Sequence, residues 1–155
     1  MKSLASVIAE VPLFKEMRPE YVELLSGCAS NTKFDAGSYI YRQGEPADRF
    51  YVIRHGRVSQ KVFVPQRGPV TVRTVKEGEI LGWAWLIPPY ERELDARAVV
   101  LTRAIAFDGA CLRGKCEQDT RLGYELMQMF AQVMVKTLQA ARLQILDVYG
   151  SPSPD

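Results

Sequence analysis

The sequence predicts a mainly β fold, a sandwich, barrel or jelly roll flanked by helices at its two ends. Two observations lead there. Between Phe34 and Phe107 the apolar residues fall into short β-rich runs punctuated by Gly37, Gly44, Gly56 and Gly68, and strands this short and this regularly spaced belong to closed or two-layered β architectures. On either side of that span the apolar period changes to three and four, the helical spacing. At 155 residues with 47% apolar composition, the chain is long enough for one core and too short for two ordinary domains.

Element by element, residues 4–14 and 19–28 read as two short helices with the breaker MRP between them. Tyr39 and Tyr41, Phe50 to Ile53, Val58 to Val64 and Val70 to Val75 are the β runs, and Gly44 and Gly56 stand where tight turns reverse them. A last strand covers Arg103 to Phe107, and Asp108 reads as the N-cap of a helix through Lys115. The longest helical signal is DTRLGYELMQMFAQVMVKTLQAARLQILDVYG, closed by Gly150 and followed by the polar tail SPSPD. The organisation is therefore one domain over 1–150, with helices at 4–28, a barrel at 34–107 and carboxy-terminal helices at 108–149, then a tail at 151–155.

In the long helix, Met127, Phe130, Met134, Leu138, Ala141, Ile145 and Val148 recur at three and four and form one apolar face. A second stripe of Leu126, Val133, Val135 and Leu143 widens it. Either one face covers the barrel and the rest is incidental, or the second stripe packs on its mate in a two-fold homodimer. The second reading makes Leu126, Met127, Phe130, Val133, Met134, Leu138, Ala141 and Ile145 the dimer helix.

Charge and composition exclude several classes. Twenty basic against 18 acidic residues leave a net charge of +2, too weak a field to argue for nucleic acid or membrane. MKSLASVIAEVPLF is not a secretory signal, because Glu10 and Pro12 interrupt its apolar run, and no run is long enough to span a bilayer. Cys28, Cys111 and Cys116 show no paired metal-ligand spacing and are expected to be free thiols in a reducing cytoplasm. His55 is the sole His, so the multi-His metal site of the jelly-roll cupin enzymes has no ligands here. Catalysis is not expected, since the pocket offers an Arg, aromatics and a few solvated carboxylates.

Within DAGSYIYRQGEPADRFYVIRHGRVSQKV, Gly37, Arg42, Gln43, Gly44, Glu45, Tyr51, Ile53 and Gly56 resemble the opening of a cyclic-nucleotide-binding domain of the CRP/FNR superfamily. There a Gly starts the barrel, an Arg or Lys, a Gln and a Gly-Glu pair follow, and a Y-x-I-x-x-G hairpin comes next. PLFKEM resembles the family's leading helices, and GEILG the strand entering its phosphate-binding cassette. The resemblance runs from Val11 to Tyr149 and implies a double-stranded β-helix, or jelly-roll, barrel.

It also implies a site. In the family a Gly-Glu pair begins a short helix whose N–H groups face the cyclic phosphate, the Glu takes a ribose hydroxyl, and a later Arg pairs the phosphate charge. Gly82 matches the Gly, but Trp83 follows it, and an indole donates without accepting, so the ribose contact is absent. Counting forward from Gly82, the Arg position is Arg92; counting back from ARAVVLTRAIAFD, it falls on Leu94. If the segment is extended, Arg92, Leu94 and Ala96 share one face while Asp95 and Arg97 take the other.

Three readings of the cassette remain open. Cyclic AMP or cyclic GMP binds, with Arg92 on the phosphate and the N–H groups of Trp83, Ala84, Trp85 and Leu86 behind it. Alternatively Trp83, Trp85 and Tyr90 rebuild the pocket for another planar or anionic small molecule, with Arg92 or Arg97 as its charge partner. In the third, Trp83, Trp85, Leu86, Pro88, Pro89 and Tyr90 fill the barrel mouth themselves. GWAWLIPPYE also resembles the Trp-Pro-rich cassette of stand-alone members of the superfamily. Its transcription factors add a winged helix-turn-helix, and with only SPSPD after Gly150 direct DNA binding is not expected. The expectation is a non-catalytic regulatory domain that binds a cyclic nucleotide or related small anion and signals through its long helix to an effector protein. The alternative is a dimeric protein-interaction scaffold with a self-filled pocket.

Overall fold

Residues 3–149, with side chains through residue 147, are described in a computed structural model of the chain. Helices α1 (Leu4–Glu10) and α2 (Pro19–Ser26) precede strands β1 (Ala29–Phe34), β2 (Tyr39–Tyr41), β3 (Arg49–His55), β4 (Val58–Val64), β5 (Gly68–Val75), β6 (Ile80–Leu81), β7 (Asp95–Ala98) and β8 (Thr102–Asp108). Helices α3 (Gly109–Gln118) and α4 (Thr120–Tyr149) follow. The strands form two four-stranded sheets, ordered β1-β8-β3-β6 and β2-β7-β4-β5, paired antiparallel throughout. This is the jelly-roll arrangement with helices before and after it.

Alternation along β3 and β8 builds two cores on one sheet. Tyr51, Ile53, Ala104 and Ala106 point into the barrel, where Tyr41, Val58, Val75, Leu81 and Ala96 meet them. Phe50, Val52, Ile105 and Phe107 point outward and are covered by Ile8, Phe14 and Leu25 from the amino end and by Leu112, Leu126 and Phe130 from the carboxyl end. Three alanines among the inward residues leave space inside the barrel that larger side chains would occupy.

Several expectations need correcting. The barrel opens at Ala29, not Phe34, because the polar run ASNTKF pairs as an edge strand on β8. The expected helix over 4–14 ends at Glu10, and Pro12–Phe14 is a separate single turn. Val11, held extended by the proline after it, divides the two. Asp108 does cap α3, its side chain accepting from the Cys111 N–H at 2.9 Å, but that helix continues to Gln118.

Two of the three cysteines are not free. Cys28 and Cys111 form a disulfide with a Cα–Cα distance of 5.8 Å, and Cys116 is the free thiol. The cause is register: Ala29 lies opposite Phe107, and the Asp108 N–H donates to the Cys28 carbonyl at 2.8 Å, so the start of β1 and the first turn of α3 converge. The expectation of a reducing compartment thus loses two of the three thiols it rested on. Burial pushes the Cys116 thiol above its ordinary pKa.

The long helix also divides differently from the expected stripes. Leu126, Phe130 and Val133 are buried in the domain's own core, so they are not available to a mate, and Leu122 and Met129 join them. Met134 and Ala141 turn toward a cavity. Met127, Leu138 and Ile145 are exposed, with Tyr124, Val135, Leu143 and Leu146. The reason is that α4 leaves the core after Val133, and the face that packs in its first half overlooks the cavity in its second. Val148 and Gly150 lie outside the described side chains. Among the described residues, no helix is long and apolar enough to cross a membrane.

Candidate functional site

The cavity encloses about 660 Å³ between the interior of β4 and β5, the segment from Gly82 to Leu94, and the second half of α4. Its most buried charge is Arg92, 5% exposed. Two backbone bonds fix that residue: the Gly44 N–H donates to its carbonyl and its own N–H donates to the Glu45 carbonyl, each at 2.9 Å. The Gly44-Glu45 turn therefore clamps the strand-like segment that carries Arg92.

The guanidinium of Arg92 lies 4.0 Å over the ring of Tyr41, a cation–π contact in a desolvated setting. Its Nη2 donates to the Arg49 carbonyl, while Nε and Nη1 are buried without a hydrogen-bond partner. An orphaned buried donor is costly unless something supplies an acceptor. Burial pushes the Arg92 pKa below its ordinary value, against the favourable field of Tyr41 and Tyr51.

Gly82 is required at this spot for two reasons. Its φ is +89°, a left-handed conformation that glycine adopts without penalty. A Cβ there would lie 2.7 Å from Arg92 Nη1, so the bare backbone is what lets the guanidinium approach. From Gly82 the chain makes tight turns, with Leu86 N–H donating to Trp83 O at 3.0 Å and Tyr90 N–H to Ile87 O at 3.0 Å. The Leu86 N–H, expected to face a phosphate, is thus already taken.

Beyond Tyr41 the floor continues through two residues that the sequence reading missed. Gln60 Nε2 donates to the Tyr41 hydroxyl at 3.0 Å, and Arg73 Nη1 reaches Gln60 Oε1 and the Ile80 carbonyl, each at 3.5 Å. Gln60 and Arg73 are directly paired across β4 and β5. The available signal was Gln60 itself, a polar residue two places after the buried Val58 and so on the inward side of its strand. Burial raises the Tyr41 phenol and lowers the Arg73 guanidinium from their ordinary values.

Of the site residues expected from sequence, Gly82, Trp83, Ala84, Arg92 and Leu94 line the cavity, and Trp85, Leu86, Tyr90, Ala96 and Arg97 do not. Trp85 is fully buried in the helix-side core, stacked on Phe50 at 5.1 Å and edge-on to Phe130 at 5.4 Å. Leu86 packs on that same core. Tyr90, at φ +58°, turns its ring under the Arg113 guanidinium, whose Nη1 donates to the Trp85 carbonyl. The three aromatics therefore leave the barrel open, since only Trp83 stands at the cavity.

The expected alternation is seen only within β7: residues 93 and 94 form a bend before it, and Glu93 lines the cavity together with Arg92 and Leu94. Ala96 is buried inside the barrel, whereas Arg97 lies outside, its Nε donating to the Gly37 carbonyl at 2.8 Å. Asp95, on that outer side, accepts from the Gln43 N–H at 2.7 Å. Arg92 brings the only guanidinium among the two registers, and Leu94 supplies apolar wall.

Residues 31–119 match the family model described as the cyclic nucleotide-binding domain. A cyclic nucleotide-binding-like protein from Brucella abortus is 32% identical with a TM-score of 0.60, covering 73% of this chain and 97% of that one. A cyclic nucleotide-binding domain from Methylobacillus flagellatus superposes with a TM-score of 0.80 at 18% identity, over 99% of this chain and 85% of that one. A CRP-like cAMP-activated global transcriptional regulator of Mycobacterium tuberculosis is 21% identical over 131 residues, 84% of this chain and 58% of its own length. The chain spans 34% and 58% of the length of the first two curated relatives it matches.

Proposed function

Because the chain belongs to the cyclic nucleotide-binding domain family, we propose that it is a non-catalytic regulatory domain which takes a cyclic nucleotide or related small anion into the cavity over Arg92. The observation that carries this reading is the pair of unpartnered Arg92 donors, Nε and Nη1, buried at the floor of an open cavity. A phosphate oxygen placed there gives one of these donors an acceptor and neutralises the charge. Trp83 replaces the family's ribose-binding carboxylate with an indole, so the ligand is held through its anion and its apolar body.

Signalling follows from what closes the cavity. Met134, Thr137, Ala141 and Gln144 of α4 line it, so a ligand that contacts them biases the position of the helix. We assign the output to a protein partner of α4, and to a second copy of this chain docked on the exposed stripe of Tyr124, Met127, Val135, Leu138, Ile145 and Leu146. Wild-type protein is expected to sediment as a dimer and Leu138→Asp as a monomer at the same concentration. A monomeric wild type removes the dimer.

Calorimetric titration with cyclic AMP and cyclic GMP tests the ligand reading, with Trp fluorescence as a second signal from Trp83. Binding in the micromolar range corresponds to about −8 kcal/mol. Arg92→Ala is expected to weaken it by about tenfold to a hundredfold, the worth of a charge-assisted hydrogen bond pair. Equal binding by wild type and Arg92→Ala takes the anion away from Arg92.

A further inference from the structure

Two guanidinium groups line this one cavity. Arg92 and Arg73 stand at the ends of a connected row, Arg92 on the Tyr41 ring, Tyr41 bonded to Gln60, Gln60 bonded to Arg73. Among the described residues neither arginine is within ion-pair distance of a carboxylate. Arg73 is half-buried in β5, and both of its hydrogen bonds are 3.5 Å long, at the limit of a real bond and well beyond the usual 2.9–3.0 Å for N–H to O. It is a half-buried cation held only by long bonds to neutral acceptors.

The other polar groups beside this row point the same way. Gln60 uses both ends of its amide inside the row, and the Tyr41 hydroxyl, which accepts from Gln60, has its own proton left to give. Trp83 adds an N–H donor where a carboxylate would have accepted. The cavity's carboxylates, Glu79, Glu91 and Glu93, are all exposed at its edge, and Glu79 accepts from the Lys76 N–H at 2.8 Å. Glu79 is also the charge that most favours protonated Arg73, against the burial that opposes it. The row along the barrel floor thus offers mainly donors and carries two positive charges, a lining that fits an acceptor-rich ligand.

We propose that Arg73 is a second anion-binding group, and that the cavity prefers a compact organic anion with two separate acidic groups, one on Arg92 and the other on Arg73, to a singly charged cyclic nucleotide. This rests on the ligand-binding reading above and names the charge class that the same site takes. A cyclic phosphodiester brings one charge to Arg92 and leaves half-buried Arg73 without an anion within ion-pair distance. A molecule with two separate phosphates on one sugar offers an anionic group to each arginine, with about −1.5 to −2 on each phosphate near neutral pH.

The test compares adenosine and guanosine 3′,5′-bisphosphates with cyclic AMP and cyclic GMP by calorimetry, at fixed ionic strength, on wild type, Arg73→Gln, Arg73→Lys and Arg92→Ala. The bisphosphates are expected to bind wild type at least about tenfold more tightly than the cyclic forms. Arg73→Gln is expected to lower bisphosphate affinity by about tenfold to a hundredfold while shifting the cyclic nucleotides by less than about threefold. Arg73→Lys retains the preference, which separates lost charge from lost fold, and the melting temperature of each variant is recorded alongside. Cyclic nucleotides that bind as tightly as bisphosphates, or an Arg73→Gln variant that weakens both classes alike, overturn the proposal and leave the ligand-binding reading standing. Absence of binding by all four probes overturns both.

Discussion

Trp85→Ala is expected to lower the free energy of unfolding by about 3–5 kcal/mol, the range for deleting a large buried aromatic, whereas Trp83→Ala costs about 1–2 kcal/mol. The two indoles are separated by one residue and do different work. Trp85 has no exposed surface and lies between the stacked ring of Phe50 and the edge-on ring of Phe130. Phe50 in turn stacks on Phe107 at 4.4 Å, so the Trp85 side chain joins the cassette, the outer face of β3 and β8, and α4 in one aromatic cluster. Its removal opens a void among rings that cannot close over it, and a rigid lining makes such voids expensive. Trp83 is half-buried beside the cavity, where solvent or ligand replaces what is lost. Chemical denaturation reads the difference as a large drop in midpoint for one variant and a small one for the other. The ligand titration reads the reverse: Trp83→Ala changes the affinity of folded protein, and Trp85→Ala acts through the folded fraction. A Trp85→Ala midpoint close to that of Trp83→Ala would put the indole back at the barrel mouth.

That contrast also marks what the sequence made legible. The barrel was readable because its glycines and β runs repeat at short intervals, and the N-cap at Asp108 because one side chain meets one N–H three residues away. The family pattern around Gly44 and Glu45 was readable too, yet its structural purpose, clamping Arg92 through two backbone bonds, depends on a partner nearly fifty positions along the chain. Strand β1 was missed because ASNTKF carries no apolar alternation of its own and is ordered by β8. The disulfide joins cysteines 83 residues apart, and only the β1–β8 register brings them together. Within the cassette no period exists at all: successive tight turns decide which indole faces the core, and turns of that kind leave no repeat to read. Gln60 and Arg73 escaped for a related reason. Each is an ordinary polar residue in its own strand, and the site appears only when β4 and β5 are laid side by side.

Substituting Ala at Gly82 and at Gly44 is expected to lower stability by a similar amount, about 1–2 kcal/mol each for a side chain forced into the left-handed region. Their φ values are +89° and +88°, so the backbone penalty is common to both. What differs is the space a methyl would enter. At Gly44 nothing lies within 4 Å, whereas at Gly82 the new Cβ would sit 2.7 Å from Arg92 Nη1. That atom is the far end of a flexible side chain, so the guanidinium withdraws and little strain is stored. Its withdrawal moves the donor that the ligand needs. Gly82→Ala should therefore lose about tenfold or more in affinity for whichever anion binds wild type, while Gly44→Ala, folded and equally destabilised, holds its affinity within about threefold. Paired thermal unfolding and calorimetric titration measure both quantities on the same samples. If Gly82→Ala binds as wild type does, the anion is not held at Arg92 Nη1, and the orphaned donors there serve the barrel alone. If Gly44→Ala loses affinity as well, the clamp on the Arg92 backbone is as important to the site as the opening beneath Gly82.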